Sequence, residues 1–505
     1  MIHEFKRNLY LRLLPPTLFS ICILSAGIFG QLPRMYAKTA SDKPADANGS
    51  EAKIRQLESR IESMQKQIEE LKLLVVNAIA SKNDALPTAE VLTKTVAEKP
   101  LGFEPRVNRE LDAVQKNDLG VDIGHARLTP YGSIYFNAFG NSGGTNNADV
   151  PLFATPTGRS GTTASMRQSR FGVRVEGGKV GSARLNAVLE ADFYGGFPSV
   201  GIGENFGVVR LRLANVRLDW ERTSVTLGQD WSIFAPLSPT SLAAAAIPQM
   251  AAAGNNWARL PQVKVETRLG KHIRWQGAVA APQTGDSATN AAFFLQPNSG
   301  SASNVLFFES RITFSDTNFL GTKKPVHLAV SGHYGRSRVL AAGTSESREI
   351  DSAGLALDWN LPLHDRISLT GEAFFGQNLA GFQGGIFQGY NADFAFRQGM
   401  TIIPGGVRAI KTHGGWAQIG ITPPLKSDRL SIYGSFGIDD PRNEDLITFV
   451  PREFRSRNLA FAINSIYKFT PQLSIGAEFR RFYTDWTLSG RQISSHLNLG
   501  AVYSF

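Results

Sequence analysis

The 505-residue chain is predicted to be an all-β transmembrane barrel, sixteen antiparallel strands preceded by an N-terminal α-helical coiled coil. Three observations carry this fold class. From about residue 128 to the end, apolar residues alternate with polar or small ones in runs of 8–14 residues, the two-residue period of a strand with unlike faces. The connections between these runs alternate in length, short then long. Residues 54–78 keep an unbroken heptad.

At the N-terminus, Lys6, Arg7 and Arg12 precede an apolar stretch from Leu13 to Gly30, and "MYA" ends at Ala37. This pattern predicts a secretory signal peptide over 1–37. Pro15 and Pro16 speak against a retained membrane helix, and Ile21 is too bulky for lipoprotein cleavage before Cys22. Cys22 is the single cysteine, so neither a disulfide framework nor a thiolate metal site is available. Residues 38–50 are polar and read as disordered. Over 51–80 a coiled coil is expected: Ile54, Ile61, Ile68 and Val75 occupy one core position, Leu57, Met64, Leu71 and Ala78 the other. Eight apolar knobs with no neighbouring domain need another chain. Isoleucine with leucine favours dimers, whereas "KIRQLE" (53–58) and "RIESMQ" (60–65) approach a trimer pattern; the expectation is a homotrimer. Residues 81–126, with Pro87, Pro100 and Pro105, read as a linker, and 127–505 as the barrel.

Strands are expected near 129–140, 167–177, 182–194, 207–220, 222–229, 260–269, 272–281, 304–314, 325–335, 350–360, 365–377, 411–422, 427–438, 456–468, 472–486 and 492–505. Tight connections, such as 270–271, 361–364 and 469–471, alternate with long ones at 141–166, 195–206, 230–259, 282–303, 336–349, 378–410 and 439–455. A soluble sandwich has no reason to sort its loops by parity, while a membrane barrel has short turns on one side and long loops on the other. An even strand count puts both barrel ends, and hence the coiled coil, in the periplasm. In "SSHLNLGAVYSF", Leu497, Leu499, Ala501, Tyr503 and Phe505 share one face. Tyr503 and Phe505 resemble the terminal signal read by the barrel assembly machinery. No mature stretch is long and apolar enough for a membrane helix, so closure of the sheet must satisfy the backbone in lipid.

In "GVVRLRLANVRLDW" (207–220), Leu211 and Leu213 are expected to face lipid and Arg210 and Arg212 the interior. The same parity sets Arg170 and Arg174 against Phe171, Val173 and Val175, Arg268 against Leu269, Arg274 against Ile273, and Arg311 with Glu309 against Phe308 and Ile312. An arginine facing the bilayer midplane would cost about 2–4 kcal/mol, so register is strongly specified. Beyond Leu213 the parity slips: Val216 and Leu218 alternate with Arg217 and Asp219, which predicts a bulge near Ala214–Asn215. From Arg127 onward the chain carries 28 Arg and 8 Lys against 27 acidic residues. In a water-filled barrel such an excess focuses a positive potential and concentrates anions. Guanidinium forks match carboxylates, with Glu190, Asp192, Asp219 and Glu309 as their holding partners. The competing role for these charges is wall stiffening through salt bridges.

"SRFGVRVE" (169–176), "LNAVLEADFYG" (185–195) and "RLRLANVRLDW" followed by "LGQDWSIF" (227–234) resemble the DcaP-like porins of Gram-negative bacteria. That resemblance implies a trimeric sixteen-stranded channel with an N-terminal coiled coil, an arginine-rich constriction and uptake of dicarboxylates and related anions. Phosphate-selective porins also carry arginine ladders, but the lysine cluster expected of them has no match. A barrel that tethers the outer membrane through its coiled coil is the structural alternative. The expected partners are a second and third copy of the chain, outer-membrane lipid and lipopolysaccharide, and small anionic solutes. Export speaks against nucleic acid. No cofactor, metal site or enzyme is expected: H-E-x-x-H is absent, and "GIGENFG" (201–207) lacks dinucleotide-binding spacing. The loop 230–259, whose stretch "SLAAAAIPQMAAAGNN" (241–256) is alanine-rich and uncharged, either folds into the barrel or packs on a neighbouring protomer.

Overall fold

The computed structural model describes residues 120–196, 207–284, 290–291, 294–295, 297–317, 321–322, 324–341, 346–393, 396–398, 401–403, 406–425 and 428–505. The expected signal peptide and coiled coil lie outside these residues, as does most of the expected linker. Sixteen strands build one closed sheet, each matching one expected from sequence: β1 (Ala126–Asn141), β2 (Gly161–Ser165 and Arg170–Val180), β3 (Ala183–Asp192), β4 (Arg210–Asp219), β5 (Thr223–Trp231), β6 (Arg259–Arg268), β7 (Ile273–Ala280) and β8 (Phe307–Asp316), then β9 (Val326–Leu340), β10 (Ser347–His364), β11 (Ile367–Gln377), β12 (Lys411–Ile421), β13 (Leu430–Pro441), β14 (Arg455–Lys468), β15 (Leu473–Trp486) and β16 (Gly490–Ser504). Every neighbouring pair is antiparallel. The last strand returns to the first, with Ser504 opposite Ser133 and His496 opposite Asn141. Gly132 and Phe505 exchange backbone hydrogen bonds of 3.0 Å, extending that seam to the end of the chain. A short strand, Val121–Ile123, pairs with the start of β1, within the region expected to be linker.

The two faces sort as the alternation requires. On β16, Leu497, Leu499 and Tyr503 are exposed while His496, Asn498 and Ser504 are buried. Phe171, Leu189, Leu211, Val263, Ile273, Phe308 and Ile312 continue the outward apolar row on other strands. A closed sheet with an apolar outer band leaves no backbone group unpaired toward lipid, the arrangement by which strands cross a bilayer.

Three local expectations are corrected. The bulge in β4 lies at Arg212–Leu213, not at Ala214–Asn215: Glu190 pairs with Leu213 and Ala191 with Leu211, leaving Arg212 as the extra residue. Leu213 therefore sits across from Glu190 and does not share the outward parity of Leu211. The extra residue lets Arg212 reach both Glu190 and Asp192. Second, most of the expected loop 336–349 is strand, because Arg336 and Arg338 pair across the hairpin with Asp351 and Glu349 and extend it. Third, β2 is broken at 166–169 by a turn in which Ser169 N–H donates to the Met166 carbonyl.

Candidate pore constriction

The loop between β5 and β6 folds into the barrel and runs along its inner wall, held by inward side chains of successive strands. Glu309 of β8 accepts from Ser232 Oγ and Ile233 N, both at 2.9 Å. Ser331 of β9 accepts from Ala235 N at 3.2 Å, and Glu372 of β11 from Leu237 N at 2.5 Å. Gln418 of β12 clasps Thr240 through both its N–H and its carbonyl (2.8 and 3.0 Å), and Asn464 of β14 donates to the same carbonyl. Ser241 Oγ donates to Glu478 of β15 at 2.5 Å. Gln168, buried at the break in β2, accepts from Ala245 and Ala246 and donates to the Ala243 carbonyl. A loop taken out of water leaves its amides unsatisfied unless the wall supplies partners; here polar wall residues do so in strand order.

The alanine content follows from this confinement. Ala243–Ala246 are no more than 2 % exposed, and Leu242 packs with Tyr135, Tyr433, Ile466 and Val502. Gly254 has φ +101°, and an added Cβ would overlap the Gly415 carbonyl oxygen. Gly254→Ala is therefore expected to displace the loop from the β12 wall and alter single-channel conductance, with β-content by circular dichroism unchanged. Unchanged conductance would remove the loop from the conduction path.

Opposite this uncharged loop stands a basic wall on β2, β4 and β6. Arg210 grips Asp192 with a two-point fork (3.0 and 2.6 Å) and donates to the Ala246 carbonyl at 2.9 Å. Arg212, 2 % exposed, bridges Glu190 (2.6 Å) and Asp192 (2.8 Å). Arg170 is buried, paired in register with Asp192. Arg174 lies 4.2 Å over the Tyr131 ring, whose hydroxyl donates to Glu190. Arg259 is half-buried between the indoles of Trp231 and Trp257, at 4.8 and 5.1 Å, and donates to the Ala246 carbonyl at 3.3 Å. Its Nε has no hydrogen-bond partner, and among the described residues it forms no ion pair. Five guanidiniums thus stand on this wall, and Arg210 and Arg212 engage its two carboxylates, Glu190 and Asp192.

The other residues singled out in the sequence form a second, charge-balanced band nearer the short turns. Arg217 pairs with Asp219 (2.7 Å) and lies 4.0 Å from Glu266; Arg274 lies 3.7 Å from Glu266. Gln276 links Glu266 to Arg311, which pairs with Asp358 at 2.5 Å. Here the wall-stiffening role predominates, since each cation has a carboxylate. Arg268 is exposed at the turn end and donates to the Glu221 carbonyl. Glu309 holds the loop rather than an arginine. Arg167, paired with Asp149 at 2.7 Å, and Arg259 were not expected from sequence. Both sit where strand gives way to loop, where the period of two no longer tells inward from outward.

No protein-family model matches the sequence, and neither does any curated protein. Among solved structures, the outer-membrane channel DcaP of Acinetobacter baumannii matches with a TM-score of 0.57 at 17 % identity, over 76 % of this chain and 99 % of that one. The fold is the porin fold. OmpF of Salmonella typhi aligns at a TM-score of 0.46 and 11 % identity, over 76 % of this chain and 100 % of its own. Pseudomonas putida OprB gives 0.45 and 11 %, over 75 % and 94 %.

Proposed function

We propose that the chain is an outer-membrane porin through which small anionic solutes, dicarboxylates among them, diffuse passively. The single observation that carries this reading is the basic wall with too few carboxylates. Arg210 and Arg259 remain partly accessible beside an uncharged loop, so the narrow zone has an excess of positive charge. Fixed guanidiniums in a confined aqueous passage attract anions and repel cations, and their forks suit carboxylates. The carboxylates hold Arg210 and Arg212 in place, and half-buried Arg259 carries no carboxylate of its own. Passive diffusion requires no cofactor or energy source.

The test is single-channel recording in a potassium chloride gradient, followed by competition with succinate, phosphate and a neutral sugar. The expected reversal potential has the sign of chloride selectivity, and succinate reduces chloride current more than the sugar does. A cation-selective or non-selective pore would overturn the proposal. Stronger competition by phosphate than by succinate would favour the phosphate-selective alternative.

A further inference from the structure

The outer wall carries its own arginines at the loop end of β14–β16. Asp485 stands in register between Arg457 and Arg491. Arg457 donates to it at 3.0 and 2.7 Å, and Arg491 at 2.7 and 3.1 Å. Four residues down β15, exposed Arg481 lies 5.3 Å over Tyr483 and forms no ion pair among the described residues. Two guanidiniums thus hold one carboxylate, and a third stands four residues below it on the same face. Asp440, outward on the neighbouring β13, makes no ion pair with them among the described residues. The comparable outward cluster on β9 and β10 is balanced, Arg336 and Arg338 meeting Glu349 and Asp351.

Height on the wall decides what this excess meets. Exposed Leu473 begins β15 at the turn end, level with Tyr503. Arg481 lies eight residues above Leu473 and Asp485 twelve. At about 3.3 Å per residue and a tilt of about 40°, these are about 20 and 30 Å up the membrane normal. An apolar band about 25 Å tall ends between them. The cluster straddles the border where hydrocarbon gives way to headgroups, on the outward surface, away from the passage.

We infer that Arg457, Arg481 and Arg491 form a clamp for the phosphate of an anionic membrane glycolipid, Arg481 taking the phosphate from below and the Asp485-held pair from above. Arg481 lacks a protein counter-ion where water is scarce, and a lipid phosphate supplies one. Asp485 holds Arg457 and Arg491 in position without neutralising them. This inference rests on the membrane placement in the proposed function, but not on its anion selectivity.

The full-length protein in detergent micelles would be titrated with bis-phosphorylated lipid A, dephosphorylated lipid A and inorganic phosphate, bound lipid being counted by native mass spectrometry. The expected result is at least tenfold tighter binding of the phosphorylated lipid than of its dephosphorylated form. Arg481→Gln with Arg491→Gln should abolish that difference, while Arg481→Lys with Arg491→Lys and the control pair Arg336→Gln with Arg338→Gln should retain it. Equal binding of the two lipids by the unaltered protein would overturn the inference without recourse to any variant. So would inorganic phosphate displacing the lipid at equal concentration, or an undiminished preference in the glutamine pair. A barrel that conducts anions without lipid preference sinks this inference alone. One that binds phosphorylated lipid but shows no anion selectivity sinks the proposed selectivity alone.

Discussion

Arg259→Glu is expected to remove the anion preference and, in dilute salt, to reverse it. The substitution changes the fixed charge by two units. At about 6 Å in a water-like dielectric, that changes the energy of a passing monovalent ion by about 1.4 kcal/mol, roughly tenfold in relative permeability. The barrel should still assemble, because Arg259 forms no ion pair among the described residues and its loss strands no carboxylate. Arg259→Lys should keep the sign of selectivity. The measurement is the reversal potential across a salt gradient, alongside heat-modifiable gel migration. A folded glutamate variant with the original reversal potential would show that the passage does not run past Trp231 and Trp257.

Arg212→Met should act on stability instead. Its guanidinium is buried and joins Glu190 to Asp192. Removing one partner of such a buried cluster costs about 3–5 kcal/mol, because charge is left uncompensated. The expected readout is a large drop in the temperature at which the detergent-solubilised barrel loses its folded migration. Arg210 remains on Asp192 and Tyr131 on Glu190, so the wall is weakened rather than abolished. Changing Arg210 and Arg212 together to glutamate would gather four carboxylates on β3 and β4 and should block assembly before any selectivity can be read. Thermal stability equal to that of the unaltered protein would mean that Arg212 contributes no net stabilisation.

The strand pattern was legible because a membrane barrel repeats one physical constraint sixteen times. Each strand must show lipid an apolar side and keep charge inside, and a one-residue slip exchanges the faces. Phe171 against Arg170, Leu211 against Arg210 and Phe308 against Glu309 follow that constraint, and the sequence alone distinguishes them. Its reach ends where the two-residue period ends. The bulge lies two residues before the position the alternation predicts, because apolar Leu213 looks like a lipid-facing residue although its register puts it opposite Glu190. Only the far end of the β9–β10 hairpin, within 336–349, reads as a loop, because charged residues that pair across strands resemble solvated ones.

Sequence by itself determined the fold class, the number and order of strands and the positive balance of the barrel. These depend on local alternation and on composition. Only the tertiary structure decided which arginines are spent. Arg217, Arg274 and Arg311 belong to a balanced network, Arg212 is locked between two carboxylates, and Arg259 is left between two indoles. It also decided the course of loop 232–258, whose amides are claimed by Glu309, Glu372, Gln418 and Gln168. The reason is that hydrogen bonds and ion pairs depend on distance in space. Leu237 and Glu372 are 135 residues apart in the chain, and nothing in either segment announces the other.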